Sequence, residues 1–479
     1  MDDAVADLDA VAQAALVRSG EVSPRELVEE SIRRIERLNP VLNAVIHERF
    51  EQACAEASSA DLPAGPFRGV PILLKDLGAA MAGEPAHSGN RLLRELGARA
   101  PEDAALVRAL RAAGFVVLGR TNVPELGLVA TTEPAAYGAT PNPWDLTRSP
   151  GGSSGGAAAA VASGMVAIAQ GTDGGGSIRM PSSHCGLFGL KPSRGRVSPA
   201  PEPEFMEGHN AYGFLTRTVR DSALALDVAA GPQPGDAVTP PAPGAPFASF
   251  VDVDPPALRI GVLAPAEVNG HPVDPEVVAA VEQAARLLES LGHHVDEGYP
   301  EAMVDPAYLD RWVDLLSPSV ASAFGDLERQ AGRPLTDADA EPMAWWWNER
   351  GRRLSAVDHV ENQAWRDDFR RRMAAWWHAG HDILLSPVLP MPPTPLGWFD
   401  GEEGIRRSVE VLRFTPQFNT TGQPAASLPL GTTRDGLPIG VQIAAASGRE
   451  DLLIQLAGQV ERAAPWRDRR PGLVARSAG

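Results

Sequence analysis

Lysine is nearly absent from this sequence. Only Lys75 and Lys191 occur in 479 residues, and the other 41 of the 43 basic residues are arginine. Arginine keeps its proton in a protein, whereas a desolvated lysine can lose it and act as a base. Each lysine is therefore a candidate for a role that guanidinium cannot fill. Cysteine is as scarce, with Cys54 and Cys185 alone. Two thiols so far apart exclude a disulfide framework and a cysteine-based zinc site, and they fit a reducing cytosol. The opening residues Met1-Asp2-Asp3-Ala4 lack the basic start of a secretory signal. A long apolar run is missing too: Ser149 to Thr172 carries no charge, but its glycine, serine and alanine content makes a poor membrane span. There are no internal repeats and no low-complexity tail. The expectation is a soluble, cytoplasmic protein without a membrane partner.

What is present is acidic. Asp and Glu number 61, giving a formal net charge of −18, which on average repels nucleic acid and anionic lipid, so no nucleic-acid partner is expected. Hydrophobic content of 44% suffices for a sizeable core. The length allows about three domains or one large α/β unit. Gly69 to Leu74 is a short buried-strand pattern with Lys75 and Asp76 at its C-terminal end, where functional groups emerge in α/β sheets. A helical stretch over about 102–113 and a strand from Gly114 to Gly119 continue an α/β alternation. Helical spacing is also expected over 3–18, and an alanine-rich helix over 156–163 leads to a strand near 166–169.

Proline is dense from Pro232 to Pro256, marking a surface connection, and a βαβ-like unit follows over 258–295. Residues 305–380 read as helical. Eight of the ten tryptophans lie between Trp312 and Trp398, forming either an aromatic core or the apolar wall of a pocket. Phe418 to Ile443 reads as paired strands before a last helix near 449–462. The chain is read as one domain over 1–479, with a catalytic core at about 66–230 and a C-terminal sheet and helix part at about 414–465.

Two glycine–serine turns stand out. In Gly171-Thr172-Asp173-Gly174-Gly175-Gly176-Ser177-Ile178-Arg179, three glycines run into a serine. The backbone can bend tightly there and gather N–H groups beside the hydroxyl, as a nucleophile next to an oxyanion hole requires. By itself this stretch reads equally as a turn whose serine caps a helix. The other turn is Gly151-Gly152-Ser153-Ser154-Gly155-Gly156. It fits the G-x-S-x-G elbow of α/β-hydrolases, yet the polar, proline-terminated segment Asp145 to Pro150 before it is no strand. His184, seven residues after Ser177, reads as a packed or capping histidine rather than a base.

Lys75 after a strand, these two turns, Phe188-Gly189-Leu190-Lys191-Pro192, Asn419 to Ala425 and Gly436 to Gln442 together resemble the amidase signature family over most of the chain. Within that family, the run from Glu133 to Trp144 and the C-terminal segment are most similar to hydrolases of cyclic nylon oligomers. The resemblance implies an α/β fold, a large mixed sheet covered by helices on both faces. It also implies a Ser-cisSer-Lys triad of Ser177, Ser153 and Lys75, with a cis peptide between Gly152 and Ser153. Neutral Lys75 would take the proton of Ser153, which takes that of Ser177, and burial must bring the lysine pKa from about 10.4 to near 7 for this. Backbone N–H groups of Gly174, Gly175 and Gly176, on to Ser177, would hold the oxyanion. Asp173 and Arg179 would brace the turn, Ser154 would support it, and Gly127 aligns with a substrate-facing loop. Gly174 replaces the threonine or bulkier residue common in the family.

No metal and no cofactor are implied. The expected substrate is a small acyl amide with an aryl or alkyl amine, or a nylon-type oligomer, extending to carbamates and esters. The expected assembly is a monomer or homodimer. The rival from the same family is the amidase component of a glutamine-dependent tRNA amidotransferase, which works inside a complex.

Overall fold

The computed structural model describes residue 5 and residues 7–473. An 11-stranded sheet runs through it, beginning with β1 (Val45–Glu48), β2 (Pro71–Lys75), β3 (Val116–Thr121), β4 (Ile168–Asp173), β5 (Phe188–Lys191), β6 (Ala211–Thr216) and β7 (Arg259–Val262). A separate small hairpin, β8 (Glu267–Val268) and β9 (His271–Pro272), follows. The main sheet is completed by β10 (His294–Glu297), β11 (Ile383–Pro387), β12 (Ala425–Thr432) and β13 (Pro438–Ala445). The spatial order is β1-β3-β2-β4-β6-β5-β12-β13-β11-β7-β10. It is mixed: β2 is parallel to β3 and β4, whereas β4, β6, β5, β12, β13 and β11 pair antiparallel in turn. With helices packed around this sheet, the chain has the α/β architecture expected of it.

The central strands show no alternation of buried and exposed residues, as strands covered on both faces require. Every residue of β2, β3 and β4 is buried. The helix Gly155–Ala162 is buried along its whole length and consists only of glycine, alanine and one valine. Small side chains let it lie close to its neighbours. A Cβ on Gly156 would stand 2.5 Å from the Asn122 backbone nitrogen, so that turn of helix tolerates no side chain.

Elsewhere the chain follows its periodicity with local departures. The helix expected over 3–18 is Ala10–Ser19, capped by Asp9, and residues 3, 4 and 6 of that expectation lie outside the described residues. Residues 258–295 do form a parallel βαβ unit, β7 and β10 joined through helix Pro275–Ser290. The paired strands expected from Phe418 start only at Ala425. Residues Gln417–Thr421 make one helical turn instead, led in by Pro416 and closed by Gly422 at φ 76°, an arrangement proline and glycine favour at helix ends.

The tryptophan-rich region is three helices, Tyr308–Ala331, Pro342–Arg353 and Ala356–His378. Both roles open for its indoles are filled. Trp345 packs edge-on against Phe324 and Trp376 stacks on His381, while Trp312 and Trp347 meet edge-to-face at 5.8 Å and border the cavity that Ser153 and Ser177 also line. Among the described residues, no helix is long and apolar enough to cross a membrane.

Candidate active site

Because β2 and β4 are adjacent and parallel, their C-terminal ends emerge side by side. Lys75 is the last residue of β2 and Asp173 the last of β4. The turn after β4 carries Ser177 into helix Arg179–Cys185, and Ser153 stands just before helix Gly155–Ala162, the element that precedes β4. Connectivity alone thus delivers one lysine and two serines to one edge of the sheet, where α/β proteins place their ligands.

Lys75 is fully buried, and its Nζ lies 2.7 Å from Ser153 Oγ and 2.9 Å from Thr172 Oγ1. Burial lowers its pKa to about 7, against the pull of the Asp173 charge in the opposite direction. Among the described residues no carboxylate pairs with it, so two neutral hydroxyls and no opposite charge meet the amine directly. The peptide bond between Gly152 and Ser153 is cis. Ser153 and Ser177 both border a cavity of about 320 Å³. The Ser177 hydroxyl makes no hydrogen bond to any described residue and is free toward that space.

The second lysine is placed differently. Lys191 Nζ donates to the Pro192 carbonyl at 2.8 Å. Burial brings its pKa to about 7 as well, with Arg179 adding to the effect, but it hydrogen-bonds to neither serine. His184 is also buried and hydrogen-bonds to neither hydroxyl, and desolvation pushes its pKa down to about 4.

Asp173 organises the nucleophile turn. Its carboxylate accepts from the N–H groups of Gly176 at 2.8 Å, Ile178 at 3.2 Å and Arg179 at 3.4 Å. Arg179 meets it in a two-point pair, Nε to Oδ2 at 2.9 Å and Nη2 to Oδ1 at 2.8 Å, with both side chains fully buried. Burial alone would raise the Asp173 pKa. The Arg179 guanidinium, helped by Lys191 and Asn419, instead holds the carboxyl well below the usual carboxylate range.

One expectation is corrected here. The Gly176 N–H is already taken by Asp173, so Gly176 is not an available oxyanion donor. The N–H groups of Gly174, Gly175 and Ser177 have no partner among the described residues. Gly176 serves the turn through its backbone, at φ 133°, and a Cβ there would sit 2.5 Å from Thr415 Oγ1. Thr415 cannot easily yield, since its hydroxyl donates to the Gly175 carbonyl at 2.6 Å. Gly176→Ala is expected to destabilise the fold by about 2–4 kcal/mol through backbone strain and overpacking, read as a lowered urea midpoint.

Ser154 donates from its N–H to the Ser177 carbonyl at 3.2 Å and from Oγ to the Thr172 carbonyl at 3.2 Å, tying the two serine turns together. Gly127, at φ 72°, borders the cavity, and a Cβ there would lie 3.3 Å from Ser153 Oγ. A side chain at that position would crowd the hydroxyl. At Gly174 a Cβ would meet Met206 Sδ at 3.4 Å; a threonine there would fill the gap beside Met206, and glycine keeps the cavity wider.

Several contributors escape sequence reasoning. Asn419 Nδ2 donates to the Asp173 carbonyl at 2.7 Å and its carboxylate at 2.9 Å, while Arg179 also reaches the Thr415 carbonyl, Gln442 Oε1 and Asn419 Oδ1. The segments Asn419 to Ala425 and Gly436 to Gln442 stand out in the sequence as patterns, without this role. Glu125 is buried beneath the Gly127 loop. It accepts from Asn90 Nδ2 at 2.7 Å and from the Glu341 N–H at 2.6 Å, fastening the loop to the start of the helix that carries Trp347. Burial, aided by the Glu341 charge, raises its pKa to about 7. Among the described residues, no group of three His, Cys, Asp or Glu is placed to hold a metal ion.

Comparison with known proteins agrees with this arrangement. The chain is 44% identical over 482 residues to the 6-aminohexanoate-cyclic-dimer hydrolase of Paenarthrobacter ureafaciens, covering 97% of each. It superposes on a solved structure of 6-aminohexanoate cyclic dimer hydrolase complexed with substrate at a TM-score of 0.94 and 42% identity, over 98% of this chain and 99% of that one. The corresponding component of the glutamyl-tRNA(Gln) amidotransferase of Thermotoga maritima is more distant, at 27% identity and a TM-score of 0.76 over 96% of each chain. The amidase family model matches residues 26–454. A sheet edge that joins a buried lysine to two serine turns, on a chain related to amide hydrolases along nearly its whole length, is that of an enzyme of the amidase signature family, to which this protein belongs.

Proposed function

We propose that the protein cleaves the amide bonds of small acyl amides, cyclic and linear nylon-type oligomers among them, through an acyl-enzyme on Ser177. One observation carries the reading: a buried lysine with a pKa near 7 is within hydrogen-bond distance of a serine that shares a cavity with a second, unencumbered serine. Neutral Lys75 accepts the Ser153 proton as Ser153 accepts that of Ser177. The Ser177 oxygen then attacks the carbonyl carbon. The N–H groups of Gly174, Gly175 and Ser177 are the free donors for the oxyanion, and one such donor is worth about 10²–10³ in rate. As the tetrahedral adduct collapses, the proton returns through Ser153 to the leaving nitrogen. Water then attacks the ester by the same relay run in reverse.

The walls suit an acyl chain or an aryl group. Trp312, Trp347, Phe205 and Leu412 face the cavity, so apolar burial at about 25 cal/mol per Å² favours extended alkyl or aromatic substituents over short ones. Carbamates and esters present the same carbonyl geometry and belong to the proposed range. Hydrolysis of anilides and of the 6-aminohexanoate cyclic dimer by purified protein tests the reading. No product from any of these amides would refute it.

The pH dependence has a definite sign. Lys75 must be neutral to act as the base, and its pKa lies at about 7. Below that pH the lysine holds its proton and kcat/KM falls about tenfold per pH unit; above it the rate reaches a plateau. A profile of kcat/KM from pH 5 to 9 checks this, and an acid limb near pH 4 in place of one near 7 would assign the base elsewhere.

A further inference from the structure

Among the described side chains bordering the cavity, Glu202 alone is charged. It lies in the loop between β5 and β6, at the solvent-exposed rim. Its carboxylate forms no hydrogen bond or ion pair with any described residue. Partial desolvation raises its pKa, and Arg120 offsets this only through space. The Arg120 guanidinium is turned to the carbonyls of Lys75 and Ala79 instead.

The loop that carries Glu202 is firmly held. The Ala105 N–H donates to the Ala200 carbonyl at 2.7 Å, Arg194 pairs with Glu204 at 2.5 Å, and His209 Nδ1 lies 2.8 Å from the Met206 carbonyl. Its far end abuts the nucleophile turn, where Met206 and Asn210 stand against Gly174. A carboxylate without a partner among the described residues thus borders the same cavity as the reacting serine, where the other polar side chains carry uncharged hydroxyls and one amide.

We propose that Glu202 binds a primary ammonium group carried by the substrate at a distance from the scissile amide. This rests on the amide-hydrolase reading and narrows its substrate class to aminoalkanoyl amides. The chemistry of ring opening gives such a group a purpose. When Ser177 attacks a cyclic oligoamide, the carbon–nitrogen bond breaks, the serine ester forms, and the nitrogen receives the proton that left Ser177. The resulting amine remains tethered to the acyl chain. While neutral it can attack the ester and close the ring again. A proton from solvent converts it to an ammonium ion, consistent with an alkylamine pKa of about 10.4, and its lone pair is then unavailable. Pairing with Glu202 holds it in that form and away from the ester until water attacks. A linear substrate with a free amino end meets the same carboxylate on entry.

The test is a binding measurement that needs no turnover. Calorimetry on the Ser177→Ala variant compares 6-aminohexananilide with hexananilide, which differ only by the terminal ammonium. An ion pair at a solvent-exposed rim corresponds to about 1.5–5-fold in affinity, so the amino ligand is expected to bind about threefold more tightly. Adding Glu202→Gln is expected to bring that ratio to about one. Equal affinities in the single variant, no binding of the amino ligand, or a ratio that survives Glu202→Gln would each overturn the proposal. The first two outcomes are read without the second variant, so they stand even if Glu202→Gln does not fold. Failure of wild-type enzyme to cleave either anilide would refute the hydrolase reading separately, since the binding ratio does not depend on it.

Discussion

Ser177→Ala is expected to lower kcat by about 10⁴–10⁶ while leaving the folded state intact, and Lys75→Met to lower it by a similar factor. Residues that act as one relay are not additive, and removing either end removes the whole of it. The double variant is therefore expected to be no slower than the slower single variant, within about threefold. The two substitutions differ in their effect on stability. The Ser177 hydroxyl lies at the cavity surface, so its loss removes no hydrogen bond among the described residues. Lys75→Met removes the donor to Ser153 and Thr172 but also the burden of burying an ionisable amine. Steady-state kinetics on an anilide, with thermal unfolding of each variant, reads both effects. An undiminished rate in either variant would remove that residue from the chemistry.

Arg179→Met is expected to have the largest effect on stability, about 3–5 kcal/mol. Breaking a buried ion pair from one side leaves the other charge uncompensated. Here the abandoned group is the Asp173 carboxylate, fully buried with its partner. The change also deletes the contacts to the Thr415 carbonyl, Gln442 and Asn419 that hold the C-terminal part of the chain against the nucleophile turn. Total stabilities of domains are about 5–15 kcal/mol, so one substitution removes a large share. Asp173→Asn combined with Arg179→Met eliminates the stranded charge and is expected to recover part of the loss. Urea unfolding of the two variants measures it, and equal midpoints would show that the charge was never the issue.

The parts of the site that are local in sequence are legible in it. A strand ending in Lys75 and two glycine–serine turns 24 residues apart can be read from short patterns, because backbone freedom and hydrophobic runs act over a few residues. The rarity of lysine narrows the base to two positions, the family resemblance picks Lys75, and the hydrogen bond of Lys191 to the Pro192 carbonyl rather than to a serine agrees with that choice. Partners contributed across the sheet are not legible. Asn419, Thr415 and Gln442 reach Asp173, Arg179 and Gly175 from more than 230 residues away, and nothing in their local composition signals that pairing. The same holds for Glu125, an ordinary acidic residue in sequence that becomes a buried clamp only when Asn90 and Glu341 close on it.

Two misreadings have a common origin. Gly176 groups with its neighbours as an oxyanion donor because glycines in a row look alike, yet the side chain of Asp173 reaches back to claim one N–H of the three. Asx-type capping of a turn competes with ligands for the same donors. Residues 417–421 group with the following strand because apolar and β-branched residues run through both, but Pro416 and Gly422 close off a helical turn before the sheet begins. In both places a single polar or backbone-restricting residue overrides the pattern of its neighbours.

With only two lysines in the chain, the charge state of the proposed base can be observed directly. Protein labelled with ¹³C at lysine Cε gives two signals, assigned by their loss in Lys75→Met and in Lys191→Met, and each is followed from pH 5 to 11. The Lys75 signal is predicted to titrate near pH 7, in step with the acid limb of kcat/KM. A Lys75 amine that stays protonated to pH 10 while the enzyme is fully active at pH 8 would contradict the mechanism outright.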